Sequence, residues 1–245
     1  MRIRWTTIFL DLPASGHEAG LTFWSTVTAT TPSAPRGAHG EFVTLLPRHG
    51  DAYLRVQRLG SGPARCHLDL HLDATELIPQ AERAEGLGAV RVHSEEGLEI
   101  LSSPGGFSFC LVPWDGEDTV PPAPALPGSE GTARLDQLCL DVPPAAWERE
   151  CAFWQALTGW EPVPTGSPEF TRLRRPEGQP VHLLLQRLDD PAPTVTAHPD
   201  FAAPERFSLA PAHAAAGATA GRSTADWTVM TAPAGLAYCL TGRTP

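Results

Sequence analysis

Two short polar strings hold the residue types most able to do chemistry: His67-Leu68-Asp69-Leu70-His71 and, 131 residues further on, His198-Pro199-Asp200. In an extended strand, side chains two positions apart share a face and lie about 7 Å from each other. Each string therefore sets an imidazole beside a carboxylate. Such a pair can fix the imidazole tautomer and raise its basicity, giving a general base for proton abstraction. The same pattern also describes a hydrogen-bonded structural histidine that was duplicated with its surroundings. His67, Asp69, His198 and Asp200 are the candidate catalytic residues on this reading, and His71 shares the polar face of the first string. Leu68, Leu70 and Leu72 fall on the opposite face, apolar enough to lie under helices, which leaves the polar face to look into a pocket.

Other groups converge on the same faces. Gln57 and Gln186 end strands that read YLRVQRL and HLLLQRL, facing inward with Tyr53 and Arg55, or with His182 and Leu184. An amide both donates and accepts, so these two can orient a polar ligand group or satisfy the neighbouring histidine. Cys110 and Cys239 each follow an aromatic residue on a closing strand, and alternation turns their thiols toward the pocket. A nucleophilic thiolate needs a cation nearby to depress its pKa. His67 and His198 are the partners on offer, and a small inert pocket residue is the other reading. Trp24 and Trp154 sit beside phenylalanine on amphipathic stretches, where core packing is the expected role.

The elements that must position these groups can be read in order. A strand from Arg4 to Pro13 leads into a helix over about residues 18–27, then a hairpin of strands at 41–46 and 53–59. The His67 strand follows, then a helix over 76–85 closed by Gly86 and Gly88, and strands at 98–102 and 107–112 around Pro104-Gly105-Gly106. After Trp114 the chain reads GEDTVPPAPALPGSEG, which is too rich in proline and glycine for regular structure and is expected to be a linker. From Arg134 the pattern restarts. Thr7 pairs with Gln137, Phe23-Trp24 with Phe153-Trp154, Gln57 with Gln186, His67 with His198, Gly106 with Gly235 and Cys110 with Cys239, all at offsets of 129 to 131. Ordered matches at one offset mean a tandem duplication, and each half contains a strand-helix-strands unit twice. The expected architecture is α+β, with four βαβββ modules in two domains: residues 1–115, a linker at 116–131, and residues 132–245.

Composition narrows the function further. The net charge of −10 argues against nucleic acid and against anionic lipid, both of which call for a basic footprint. All 18 basic residues are arginine, which excludes Schiff-base chemistry and a phosphate-binding P-loop lysine. No GxSxG, HExxH or GxGxxG motif is present. Five cysteines without CxxC spacing suggest thiols in place of a disulfide framework or zinc knuckle. The opening MRIRWTTIFLDL goes straight into an alternating strand with no secretory pattern, and no apolar run reaches membrane-spanning length. The expectation is a cytoplasmic protein with a small-molecule ligand and neither a nucleic-acid nor a membrane partner, acting as a monomer (a pseudo-dimer of its halves) or a homodimer.

Paired βαβββ units with FW in the first helix, an HLDL strand, an LGA helix exit and a final PxG…FC hairpin resemble the vicinal oxygen chelate superfamily. That superfamily includes glyoxalase I, bleomycin-resistance proteins, fosfomycin-resistance enzymes and extradiol dioxygenases. The resemblance covers nearly the whole chain outside the linker and is closest to two-domain glyoxalase-like proteins. It implies strands curled into a half-open cup around one site per domain. Carried over by position, the family's ligand positions fall on Thr7, Gln57, His67 and Cys110 in the first half, and on Gln137, Gln186, His198 and Cys239 in the second. With His71 and His182 these are the expected ligand-binding residues. Neither half supplies the glutamate that metal-dependent members use, so no residue is assigned as a metal ligand and no cofactor is expected. A His/Gln/Cys set still leaves a divalent ion such as zinc or copper as an alternative. The resemblance implies a protein that binds or sequesters an antibiotic or metabolite, as bleomycin-resistance relatives do. The alternative is a lyase, isomerase or dioxygenase acting on a small carbonyl or aromatic substrate, either metal-dependent or through a His-Asp base.

Overall fold

The computed structural model describes residues 2–125 and 131–245; part of the expected linker, residues 126–130, lies outside the described residues. The first half contains β1 (Trp5–Pro13), α1 (His17–Val27), β2 (Thr31–Pro32), β3 (Phe42–Leu46), β4 (Leu54–Leu59), β5 (Arg65–Leu72), α2 (Leu77–Gly86), β6 (Val90–Glu95), β7 (Leu98–Ser102) and β8 (Ser108–Pro113). The second half repeats the series as β9 (Arg134–Val142), α3 (Trp147–Thr158), β10 (Glu161–Pro164), β11 (Phe170–Arg174), β12 (His182–Arg187), β13 (Thr196–Ala202), α4 (Arg206–Ala215), β14 (Thr219–Ser223), β15 (Trp227–Thr231) and β16 (Ala237–Thr241). The α+β architecture of four modules expected from the sequence is the one observed.

Each half forms one eight-stranded sheet, ordered β2-β3-β4-β1-β5-β8-β7-β6 and β10-β11-β12-β9-β13-β16-β15-β14. A parallel pair needs a crossover, and here a helix supplies it. β5 pairs in parallel with β8, matching Asp69 to Cys110, and β13 with β16, matching Asp200 to Cys239. The remaining strands of these modules run back as antiparallel meanders. This register fixes the chemistry, because it sets each carboxylate beside a thiol on the neighbouring strand.

Two compact units account for the described residues, and each draws on both halves of the chain. One gathers residues 67–118 and 138–197 with the start of β1; the other gathers 9–66, 119–137 and 198–245. In the first unit α3 buries Phe153 and Trp154 against Phe107 and Phe109, with ring centroids 5.2 to 6.0 Å apart. In the second, α1 buries Phe23 and Trp24 against Phe201, His213 and Tyr238. Trp24 and Trp154 are fully buried core residues, as their helical setting predicts. Leu68, Leu70 and Leu72 are likewise buried.

Candidate functional site

In the first unit, alternation along β5 carries His67 and Asp69 to one face, with His67 Nε2 3.7 Å from Asp69 Oδ1. Cys110 joins them from β8, and one donor atom from each of the three lies within 4.8 Å of the others. The second unit repeats this with His198, Asp200 and Cys239, where the imidazole-to-carboxylate distance is 3.5 Å. Asp69 and Asp200 are buried, while the side chains of His67 and His198 keep 13% and 15% exposure. Each imidazole is therefore the part of its triad that solvent or a ligand reaches first.

The surroundings of the two triads differ. Gln137 donates from Nε2 to Asp200 Oδ2 at 2.6 Å, a buried bond that turns the other carboxylate oxygen toward His198. The matching residue in the first half, Thr7, instead lies 2.9 Å from His71 Nε2 through its hydroxyl. His71 is buried, and its Nδ1 faces Glu117 Oε1 at 3.6 Å. Glu117 belongs to the Pro/Gly-rich segment and is steadied by the Trp114 indole, which donates to its backbone carbonyl at 2.8 Å. This glutamate is a site neighbour that sequence reasoning missed, because an irregular segment gives no periodic signal. The only hint was its place three residues after Trp114.

The other candidate residues are spread more widely. Gln186 accepts a long contact from the Cys139 thiol at 3.8 Å. Gln57 sits on β4 opposite Phe42, and His182 opens β12; neither His71 nor His182 belongs to the two triads just described. Burial pushes the Cys239 thiol above its ordinary value and Asp200 adds to this, while His198 opposes both. All five cysteines are thiols.

The imidazole-to-carboxylate gaps are 3.5 and 3.7 Å. They are close to the spacing, about 3.4 Å, of two ligands that each sit about 2.1 Å from one tetrahedral ion. One imidazole, one carboxylate and one thiolate make a borderline-soft, doubly negative set that suits zinc and its neighbours. The three donors of each set, all within 4.8 Å of one another, could hold such an ion.

A profile of the glyoxalase-like domain matches the chain twice, over residues 7–112 and 137–241. The chain belongs to the glyoxalase-like domain family. Its place in the vicinal oxygen chelate superfamily follows from this match and from similar solved structures. A Mn(II)-bound glyoxalase from Novosphingobium aromaticivorans is 15% identical, with a TM-score of 0.66 over 96% of this chain and 80% of that one. The 2,2',3-trihydroxybiphenyl 1,2-dioxygenase of Sphingomonas wittichii strain RW1 is 17% identical, with a TM-score of 0.59 over 96% and 88%. A catechol 2,3-dioxygenase is 13% identical, with a TM-score of 0.61 over 100% and 90%. At these identities the likeness is one of fold. Comparison with curated protein sequences finds no significant match. No helix among the described residues is long and apolar enough to cross a membrane.

Proposed function

We propose that this glyoxalase-like protein is an enzyme acting on a small oxygen-bearing molecule, a vicinal carbonyl or catechol, with a divalent ion of the zinc class at His198, Asp200 and Cys239. The observation that carries the reading is the convergence of those three donors within 4.8 Å of one another, with Gln137 anchoring the carboxylate from behind. A bound ion of this class polarises a ligand oxygen and lowers the pKa of bound water. The chain's own residues hold and tune the site. His198 meets the incoming ligand, Asp200 and Cys239 supply the negative charge that balances the ion, and Gln137 keeps Asp200 from rotating away. His67, Asp69 and Cys110 form a second such set.

Burial of Cys239 favours a second reading, because it holds the proton on sulfur when no cation is present. In that reading the protein captures an antibiotic or metabolite without turning it over. Elemental analysis of protein purified without a metal-affinity tag separates the two. The enzyme reading expects about one equivalent of a divalent ion per chain, lost in His198→Ala, together with conversion of a member of a vicinal dicarbonyl and catechol panel. A metal-free preparation that binds such a compound stoichiometrically and leaves it unchanged sinks the enzyme reading in favour of capture.

A further inference from the structure

The second unit contains a cavity of about 310 Å³ that shares no residue with either triad. Its floor is apolar, made by Leu45, Leu54, Leu135 and the ring of Tyr53, and three prolines of the linker, Pro121, Pro122 and Pro124, form one wall. Its charged lining residues are two arginines, Arg48 and Arg134, with the His49 imidazole beside them and no carboxylate side chain lining it. In a chain of net charge −10, that is a local reversal of sign.

The walls are built, not accidental. The linker is clamped to the β3–β4 turn by Asp51, whose backbone N–H donates to the Thr119 carbonyl at 2.7 Å and whose carboxylate accepts from the Thr119 N–H at 2.9 Å. Gly50 adopts φ +81°, and a Cβ there would come within 2.7 Å of the Thr119 carbonyl oxygen. Only glycine lets the two segments approach this closely. The Tyr53 hydroxyl donates to the Leu135 carbonyl at 2.7 Å, which fixes the floor. Arg134 donates to the Pro121 carbonyl at 3.2 Å and faces Asp136, whose other oxygen takes Arg243 at 2.8 Å. The Asp136 carboxylate is thus shared between two guanidinium groups.

We propose that this cavity is a second binding site, for a small molecule with an apolar body and one anionic head, such as an aryl or short acyl carboxylate. An apolar floor with a few placed polar groups is the usual make-up of a ligand site, and the volume is near the lower end of that class. The body lies on Leu54, Leu135 and the prolines, and the head meets Arg48 and Arg134. Because the linker supplies a wall, occupancy also holds the linker against the first module.

The test uses the full-length protein and three probes matched in shape: phenylacetate, its uncharged twin phenylacetamide, and the phenethylammonium cation. Amide shifts are followed by NMR during titration. The expected result is saturable perturbation of Thr28, Thr30 and Leu135 by phenylacetate, with phenylacetamide at least about tenfold weaker and the cation weaker still. Arg48→Glu with His49→Glu, two exposed rim changes, is expected to weaken phenylacetate by more than about tenfold and to leave phenylacetamide unaltered. No saturable shift at millimolar phenylacetate overturns the proposal, as do equal affinities for acid and amide, or shifts centred on His198 and Cys239.

Discussion

The two compact units solve one packing problem in two ways. In the first, α3 carries Glu150, fully buried, whose carboxylate accepts from the Ser103 hydroxyl at 2.9 Å, the Trp154 indole at 2.9 Å and the Gly105 backbone N–H. In the second, the matching position on α1 is Gly20, and the matching turn residue is Ala234, whose Cβ lies 3.2 Å from where a glycine Cβ would sit. The space of the acid is taken by Leu12, whose Cδ1 would lie 2.5 Å from a Cβ on Gly20, and by the Ala234 methyl. Polarity moves elsewhere: Phe109 and Ala84 of the first unit are matched in the second by Tyr238 and His213, joined by a 2.9 Å hydrogen bond. A duplicated interface therefore needs the same shape and the same aromatic core, while its one buried polar network can be rooted on the helix or on the sheet.

The largest effect should come from removing the first network. Glu150→Ala strands three donors in a dry interior, and each unsatisfied group costs about 1–3 kcal/mol; a loss of about 3 kcal/mol or more in urea unfolding is expected. Glu150→Gln, which keeps an acceptor, should cost less. Burial, opposed by the bonds from Ser103, Gly105 and Trp154 and by Arg149, raises the Glu150 pKa. The folded state then holds this proton at a pH where the unfolded chain has released it. This stabilisation is full in acid and is lost as pH rises from the ordinary glutamate range through the raised value. Glu150→Gln should flatten that fall. If the two variants cost the same, the network is not what distinguishes the units.

The second unit should titrate with the opposite sign. Burial lowers the His213 pKa to about 4, so the unfolded chain takes up the proton first as pH falls. Stability is present above about pH 6.5 and is lost between there and about pH 4, by up to about 3 kcal/mol. The ring lies among Phe23, Phe201 and Tyr238, so His213→Phe keeps an aromatic plate and should remove the acid slope, at a cost of about 1–3 kcal/mol at neutral pH because the buried Tyr238 hydroxyl loses its partner. An unchanged slope, measured by chemical denaturation across this pH range, would show that another group sets it.

The sites sharpen the same contrast. Gln137 holds Asp200, whereas the matching Thr7 is engaged with His71. Loss of a partner that orients a metal ligand typically weakens metal binding 10- to 100-fold. Gln137→Ala should therefore weaken zinc binding by about that factor, and Thr7→Ala should barely change it, as measured by competition with a chromogenic chelator. Equal losses would make the two triads equivalent.

How much of this was legible follows from where each signal lives. Alternation and glycine stops wrote the βαβββ order into the sequence, and the period of two placed His67 beside Asp69 and His198 beside Asp200. β2, β6 and β14 gave no such signal: they are exposed edge strands, where no buried face imposes alternation. The Gln137–Asp200 bond depends on side-chain direction between neighbouring strands, and the approach of Glu117 to His71 depends on an irregular segment, so neither had a periodic trace. The choice of partner for Phe23-Trp24 was equally hidden, since α1 packs on the fourth module, about as far away in sequence as the chain allows. The aromatic pair announced only that an apolar partner was needed.

The smallest difference lies at the helix ends. α1 closes with the Thr30 N–H on the Ser25 carbonyl at 2.9 Å and the Ala29 N–H on Thr26 at 3.2 Å, with Ala29 at φ +50°. This double bond at a helix end normally recruits glycine to the left-handed position, and α3 has it: Gly159 at φ +70°. Arg83 adds donors to the Ala156 and Leu157 carbonyls there. A left-handed alanine costs roughly 1 kcal/mol, so Ala29→Gly should stabilise the protein by up to about that amount, a rise of about 2–4 °C in Tm. Arg83→Ala should lower stability by a similar amount or less. If Ala29→Gly instead destabilises, the strain at this bend has been relieved by its surroundings, and the two helix ends are energetically alike despite their different residues.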